Sequence, residues 1–242
     1  MIHDPGRLLA SGRAADVYDV GDGTVLRRYR TDHDCSAEAR LMIWLETQDV
    51  PVPTVHRADG RDIVMDRVTG PTMVEDLAAR PWRVVRHART LARLQRAVHR
   101  CEAPSWLAVT PGVSAGDRVL HLDLHPMNVI LADHGPVIID WTNASRGDPA
   151  FDAAMTYVVM ATFEANGRAE RIGRRVMVDV FAWSRGRALV ASALPTAVRY
   201  RMGDRNVTPG ERRNLERLLE RALNGRAVRR RSRRGRPSSH RP

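Results

Sequence analysis

Four polar residues, His121, Asp123, Asn128 and Asp140, interrupt one of the most apolar stretches of the chain, HLDLHPMNVILADHGPVIIDW at 121–141. Leu122, Leu124, Val129, Ile130, Leu131, Val137, Ile138 and Ile139 around them are core residues, and unpaired carboxylates are costly to bury in such company. Their spacing offers a reason. NVIL and PVIID flank a tight turn containing Asp133, His134 and Gly135, which predicts two three-residue strands folded into a hairpin. Closing that hairpin brings Asn128 and Asp140 together at its open end. A carboxamide oxygen beside a carboxylate is a hard ligand pair of the kind Mg²⁺ accepts, with phosphate oxygens and water completing the shell. Asp123 lies five residues before Asn128, on the loop entering the hairpin, where it can take a proton from a hydroxyl attacking a metal-bound phosphate.

The elements that must hold these groups follow from periodicity and turn chemistry. AADVYDV (14–20) and TVLRRYR (24–30) are strand-like runs separated by Gly-Asp-Gly, a hairpin signal. From Asp34, read as an N-cap, apolar positions at Ala37, Leu41, Trp44 and Leu45 follow helical spacing. PVPTVHRADGRDIVMDRV then yields two more short strands around ADGRD. After Thr69–Pro71 the chain turns helical, with a long segment from Trp82 to about Arg100, and further helices span 152–224. The expected architecture is α+β with two lobes: a small antiparallel-sheet lobe with one helix over residues 1–66, and a larger helical lobe over 67–225. Residues 226–242, with eight arginines and no acid, read as a disordered tail.

The spacing H-x-D-x-x-x-x-N, followed by an apolar run and Asp, is that of a kinase catalytic loop and its metal-binding Asp. With GDPAFDAA at 147–154 it resembles the aminoglycoside phosphotransferase family, small-molecule kinases with a protein-kinase-like fold. EARLMIWL resembles the family's first-lobe helix, VPVPTV the turn after it, and IVMDRVTGPTM its inter-lobe hinge. The resemblance implies Asp123 as catalytic base, His121 bracing the catalytic loop, Asn128 and Asp140 on Mg²⁺, and Asp148 and Asp152 anchoring the next turn and helix. It implies ATP or GTP as donor, with adenine beside Met65 and the backbone of Asp66 to Val68. Val25 and Arg27 share one face of their strand. The family pattern aligns Arg27 with its usual Lys and Glu38 with the ion-pair partner; Arg stays charged and binds phosphate bidentately, though its reach differs. SGRAADVY (11–18) has a single glycine, so only Ser11, Gly12 and the amides after them would line the phosphates. Asp140 is followed by Trp-Thr, and only a few residues separate it from Gly147-Asp148-Pro149. That leaves no room for a phosphorylatable activation loop, so the implied acceptor is a small hydroxylated molecule, not a protein.

Composition sets the boundaries. The 43% hydrophobic and 28% charged content belongs to a soluble globular protein. MIHDPGRLLA has no apolar signal region, the uncharged run AAMTYVVMATF (153–163) is too short to span a bilayer, and Cys35 and Cys101 form no disulfide framework. A cytoplasmic protein is expected. The net charge is +11, the chain contains no lysine, and without the tail the balance is 11 − 8 = +3. Residues 151–242 hold 21 Arg against eight acids, 21 − 8 = +13, which argues against a polycationic aminoglycoside as acceptor. Two other readings remain open: a nucleotide-binding pseudokinase or scaffold, and a protein held to nucleic acid or an anionic membrane by its Arg-rich tail. Tyr157, Phe181 and Trp183 are candidates to stack on an acceptor ring, or core residues at helical spacing. His99 and Cys101 read as ordinary helix residues.

Overall fold

The computed structural model describes residues 6–12 and 14–234, with side chains through residue 224. The first lobe consists of β1 (Arg7–Ser11), β2 (Ala15–Gly21), β3 (Thr24–Tyr29), α1 (Ser36–Glu46), β4 (Val55–Asp59) and β5 (Asp62–Asp66). They form one antiparallel sheet in the order β1-β2-β3-β5-β4. The β2–β3 turn works because Gly21, Asp22 and Gly23 all take positive φ, 89°, 51° and 74°, which glycine adopts freely and Asp tolerates. α1 turns Leu41, Met42 and Leu45 onto the core shared with the second lobe. It starts one residue later than the Asp34 cap predicts: Cys35 holds the cap position, and Asp34 accepts the Ser36 N–H from just outside, at 2.9 Å. Strand β1 is not apparent in the sequence. It is an edge strand with mostly exposed side chains, held by its backbone pairing to β2, so it has no apolar alternation to read.

The second lobe contains α2 (Met73–Ala79), α3 (Val84–Arg100), β6 (Arg118–Leu120), β7 (Val129–Ala132), β8 (Gly135–Ile138), β9 (Ser145–Gly147), α4 (Pro149–Thr162), α5 (Arg168–Arg185), α6 (Arg187–Met202) and α7 (Pro209–Arg234). The linker from β5 is strapped to β7: the Leu131 N–H donates to Pro71 O at 2.8 Å, and Thr72 bridges Ile130. Gly70 is required there, since a Cβ would lie 2.3 Å from Leu131 O. α3, α4 and α5 pack through Leu91, Leu94, Val98, Met160, Met177 and Phe181, and α6 packs on α4 through Phe151, Ala193, Ala197 and Val198. Phe181 is fully buried and is a core residue; Trp183 is exposed. The run at 153–163 forms most of α4, and among the described residues no helix is long and apolar enough to cross a membrane.

Thr72 and Glu75 form a capping box at the start of α2, which delivers Asp76 into a buried cluster. Asp76 accepts from His87 (2.7 Å), Arg80 (2.7 Å) and Arg83 (2.9 Å). The His87 hydrogen bond, then those of the two arginines, outweighs burial and lowers its carboxyl to about 2. A carboxyl lowered on folding stabilises the fold above its unfolded pKa, and that stability is lost as pH falls through the folded value. Wild type should therefore melt higher than Asp76→Asn at neutral pH, with the gap closing between about pH 4 and pH 2. Melting curves over that range test this; a gap that persists at pH 2 refutes it.

α7 runs through Arg234, so residues 226–234, expected as part of a disordered tail, continue a helix. Arginine propagates a helix begun elsewhere at little cost. The rest of the segment lies outside the described residues. Because 226–242 contains only Ala227 and Val228 as apolar residues, deleting it should leave the melting temperature within a few degrees of wild type. A large drop on thermal melting would refute that expectation.

Candidate active site

β6 and β9 pair over three residues, Arg118↔Gly147 to Leu120↔Ser145, and hold the two ends of the polar stretch in register. Directly after β6, His121 is fully buried. Its Nδ1 accepts the Asp123 N–H (3.3 Å), so its Nε2 carries the proton and donates to Ile139 O (3.1 Å). The ring lies 4.6 Å from that of Trp141. Burial lowers the imidazole pKa below its ordinary range, which suits a neutral brace between the loop and the strand after the hairpin. Leu122 has φ 65°, a left-handed conformation costing roughly 1–2 kcal/mol in a residue with a Cβ. The turn is held from α4: Asp152, fully buried, accepts the Leu122 N–H at 2.7 Å, while Asp148 caps the helix by accepting the Ala150 N–H at 2.8 Å. The Asp123 side chain stays partly open to solvent, 3.5 Å from His125 Nε2.

The hairpin forms with Val129 opposite Ile138 and four residues per strand, one more than expected, around a two-residue turn. Beyond that pair the Ile139 N–H donates to Asn128 O at 3.0 Å, so Asn128 and Asp140 do sit at the same open end. Asn128 donates its amide to Asp123 O at 2.9 Å, which fixes the orientation of its carboxamide. Asp140, at φ 66°, accepts from Arg27 (2.7 Å) and Thr142 (2.8 Å) through Oδ1. Asn128 Oδ1 and Asp140 Oδ2 accept from no described residue. Two unspent oxygens at one hairpin mouth fit a hard divalent cation. Among the described residues no group of three or more His, Cys, Asp or Glu could hold a metal, so these two oxygens need others from a ligand.

Arg27 reaches from β3 into this site. It donates to Glu38 Oε1 on α1 at 2.9 Å and, through its other terminal nitrogen, to Asp140 and to Thr142 Oγ at 2.9 Å. Burial opposes its charge, but the carboxylates of Glu38 and Asp140 more than offset that and raise its pKa. For Asp140, burial acts upward, and Arg27 with Thr142 brings the carboxyl below its usual range. Tyr29, two residues along the same strand face, hydrogen-bonds both Glu38 Oε2 and Thr142 Oγ. Glu38 also accepts the Trp141 N–H at 3.2 Å. The two lobes are thus joined through a buried polar latch. Arg27 and Glu38 form its core, and they are not a surface pair.

Val25 and Met65 face each other across β3 and β5. In the linker, the Asp66 and Arg67 N–H groups donate to Thr54 O and Gly23 O, whereas Val68 N–H and C=O bond to no described residue. The turn after β1 differs from the expectation. Ser11 donates its hydroxyl to Asp16 (2.7 Å) and the Gly12 N–H goes to Ala15 O (2.9 Å), so both groups are spent within the turn; Arg13 lies outside the described residues.

Sequence reasoning missed Tyr29, Thr142, His125 and His99. The first two had a signal: each is two residues from a recognised site residue and shares its strand face or loop. His99 is no ordinary helix residue, since its Nε2 lies 2.7 Å from Asp152 Oδ2. Part of the basic charge of residues 151–242 is gathered in one place. Arg168, Arg171, Arg174, Arg175 and Arg221 line a cleft of about 560 Å³ between α4, α5 and α7, with Tyr157 in its wall. Arg201 is bound by Glu211 and Asp204, each at 2.8 Å.

A family model described as "Phosphotransferase enzyme family" matches residues 5–112 and 105–189, well over half the chain. The chain belongs to that family. No curated protein matches it by sequence. Solved structures share its fold, including the gentamicin complex of APH(2")-IIa, 14% identical with TM-score 0.61 over 90% of this chain and 89% of that one. ADP-bound aminoglycoside phosphotransferase APH(2'')-Ib superposes with TM-score 0.59 at 13% identity, covering 88% and 91%. Choline kinase from Cryptosporidium parvum Iowa II does so with TM-score 0.60 at 10% identity, covering 90% and 88%. These solved structures of one fold differ in what their names say they act on. Such distant likeness fixes the two-lobed fold and leaves the substrate to the site.

Proposed function

We propose that this phosphotransferase moves the terminal phosphoryl group of ATP, with GTP as the alternative donor, to a hydroxyl of a small molecule. The observation that carries the reading is the pair of unspent oxygens, Asn128 Oδ1 and Asp140 Oδ2, at the mouth of a hairpin whose entering loop presents Asp123. Those oxygens would hold Mg²⁺, which when bound neutralises charge on the phosphates. Arg27, kept cationic by Glu38, faces the same space and orients the phosphates. Val25 and Met65 cover the base, and the free backbone groups of Val68 hydrogen-bond its edge. Asp123 accepts the acceptor's proton as its oxygen forms the new bond to phosphorus and the nucleoside diphosphate leaves. Phosphoryl transfer asks little more of a protein than this positioning. The ADP-bound relative supports nucleotide use, and two free, buried cysteines suit a reducing compartment. The acceptor is a small hydroxylated molecule and, given the basic excess of residues 151–242, not a polycationic aminoglycoside.

The test is a screen of hydroxylated small molecules for Mg²⁺-dependent ADP release, with GTP as a competing donor and Asp123→Ala as control. Acceptor-dependent release abolished in the control supports the reading. Tight nucleotide binding with no transfer to any acceptor would favour the pseudokinase.

A further inference from the structure

A second polar cluster stands behind the catalytic loop, and the chemistry proposed above does not use it directly. Asp152 holds the Leu122 N–H through Oδ1; its Oδ2 accepts from Gln95 Nε2 at 3.1 Å and faces His99 Nε2 at 2.7 Å. Gln95 and Asp152 are fully buried and His99 nearly so. Behind both relay residues lies one guanidinium from the last turn of α5. Arg185 Nε donates to Gln95 Oε1 at 2.9 Å, and a terminal nitrogen donates to His99 Nδ1 at 2.7 Å.

A guanidinium has no acceptor, and this fixes the direction of every bond in the cluster. His99 Nδ1 must be bare, so the ring proton sits on Nε2 and points at Asp152. The Gln95 oxygen must face Arg185, which leaves its nitrogen for Asp152 and for Thr156 Oγ at 2.8 Å. Burial, with Arg96 nearby, brings Arg185 down to about 10, and it still carries its charge at neutral pH. Without Arg185, His99 Nδ1 and Gln95 Oε1 face the core with no donor, and both side chains gain by rotating toward one. Either rotation draws a donor away from the Asp152 carboxylate. The carboxylate would then lose its hold on a left-handed Leu122 one residue from Asp123.

We propose that Arg185 is a positioning residue for phosphoryl transfer. By holding His99 and Gln95 in place from behind, it holds Asp152 and, through the Leu122 turn, the aim of Asp123. This rests on the reading of Asp123 as the base. The expected effect falls mainly on turnover, because the relay ends on the turn carrying Asp123 and reaches Asn128 only through the Asp123 carbonyl.

The experiment compares wild type with Arg185→Met in the full chain. In ¹⁵N-histidine-labelled protein, the His99 Nε2 proton should be hydrogen-bonded and slow to exchange in wild type, and should lose that protection in the variant. Its kcat for Mg²⁺-dependent ADP release should fall on the order of 10- to 100-fold, the size of effect a small misplacement of a reacting group produces. KM and nucleotide affinity should stay within about twofold. His99→Gln, which can accept from Arg185 and donate to Asp152, should keep turnover within about threefold, and His99→Leu should not. An unchanged Nε2 proton, an unchanged kcat, or kcat, nucleotide affinity and melting temperature all declining together would overturn the proposal. So would equal losses in the Gln and Leu variants, which also settle the matter if Arg185→Met does not fold. The Nε2 proton needs no turnover to be read. Failure of the base reading itself would show as wild-type turnover in Asp123→Asn, whatever Arg185 does.

Discussion

Asp123→Asn should bind Mg²⁺-nucleotide within a few-fold of wild type while turning over on the order of 10²–10⁴ more slowly. The amide fills the volume of the carboxylate and retains one acceptor oxygen, so the loop should keep its shape. That shape depends on other groups: the Asp123 N–H on His121, the Asp123 carbonyl on Asn128, and the Leu122 N–H on Asp152. None of these bonds uses the Asp123 side chain. The substitution removes the charge and the basicity, which matter only while an acceptor hydroxyl is losing its proton. The measurement is paired, nucleotide affinity by titration and phosphoryl transfer with the acceptor found by screening. Near-normal turnover would sink the catalytic assignment. Loss of folding would mean that Asp123 is there to complete a polar cluster.

What the sequence disclosed, it disclosed through local spacing. Asn128 and Asp140 could be brought together on paper because a short hairpin joins them, and a hairpin has only one way to close. The Arg27–Glu38 pair came from family pattern and not from physics. Nothing in either residue's neighbourhood says that β3 and α1 will face each other. The Tyr29–Thr142 and Arg27–Asp140 bonds span more than a hundred residues, so no periodicity could announce them. Strands β6 and β9 were missed for another reason: three residues of backbone pairing leave no alternation to detect. His99 was overlooked because a histidine on an apolar helix face looks like filler until its partner on α4 is known. Charge arithmetic carries no placement. Summed over 151–242 the arginines form one basic block, yet five of them line a cleft between α4, α5 and α7, and Arg201 is bound by two carboxylates.

Asp140→Asn should abolish the dependence of nucleotide binding on Mg²⁺, with affinity in the presence of the metal falling by at least about 10-fold. Even outer-shell partners of a metal cost 10- to 100-fold when removed, and here one of the two oxygens proposed to hold it loses its charge. Asn is the informative substitution because residue 140 has φ 66°, a conformation Asn accepts and Ala resists. An alanine variant would mix backbone strain with the loss of the ligand. The fold should survive: Arg27 keeps Glu38 at 2.9 Å as a counter-charge and Thr142 at 2.9 Å as an acceptor, and the Asp140 side chain is 41% exposed. Titrating nucleotide with and without Mg²⁺ in both proteins separates the cases. Wild type should bind more tightly with the metal, and the variant should bind alike in both conditions, at roughly the metal-free wild-type level. If the variant still gained affinity from Mg²⁺ as wild type does, the metal would not be held by Asp140, and the two unspent oxygens at the hairpin mouth would need another explanation.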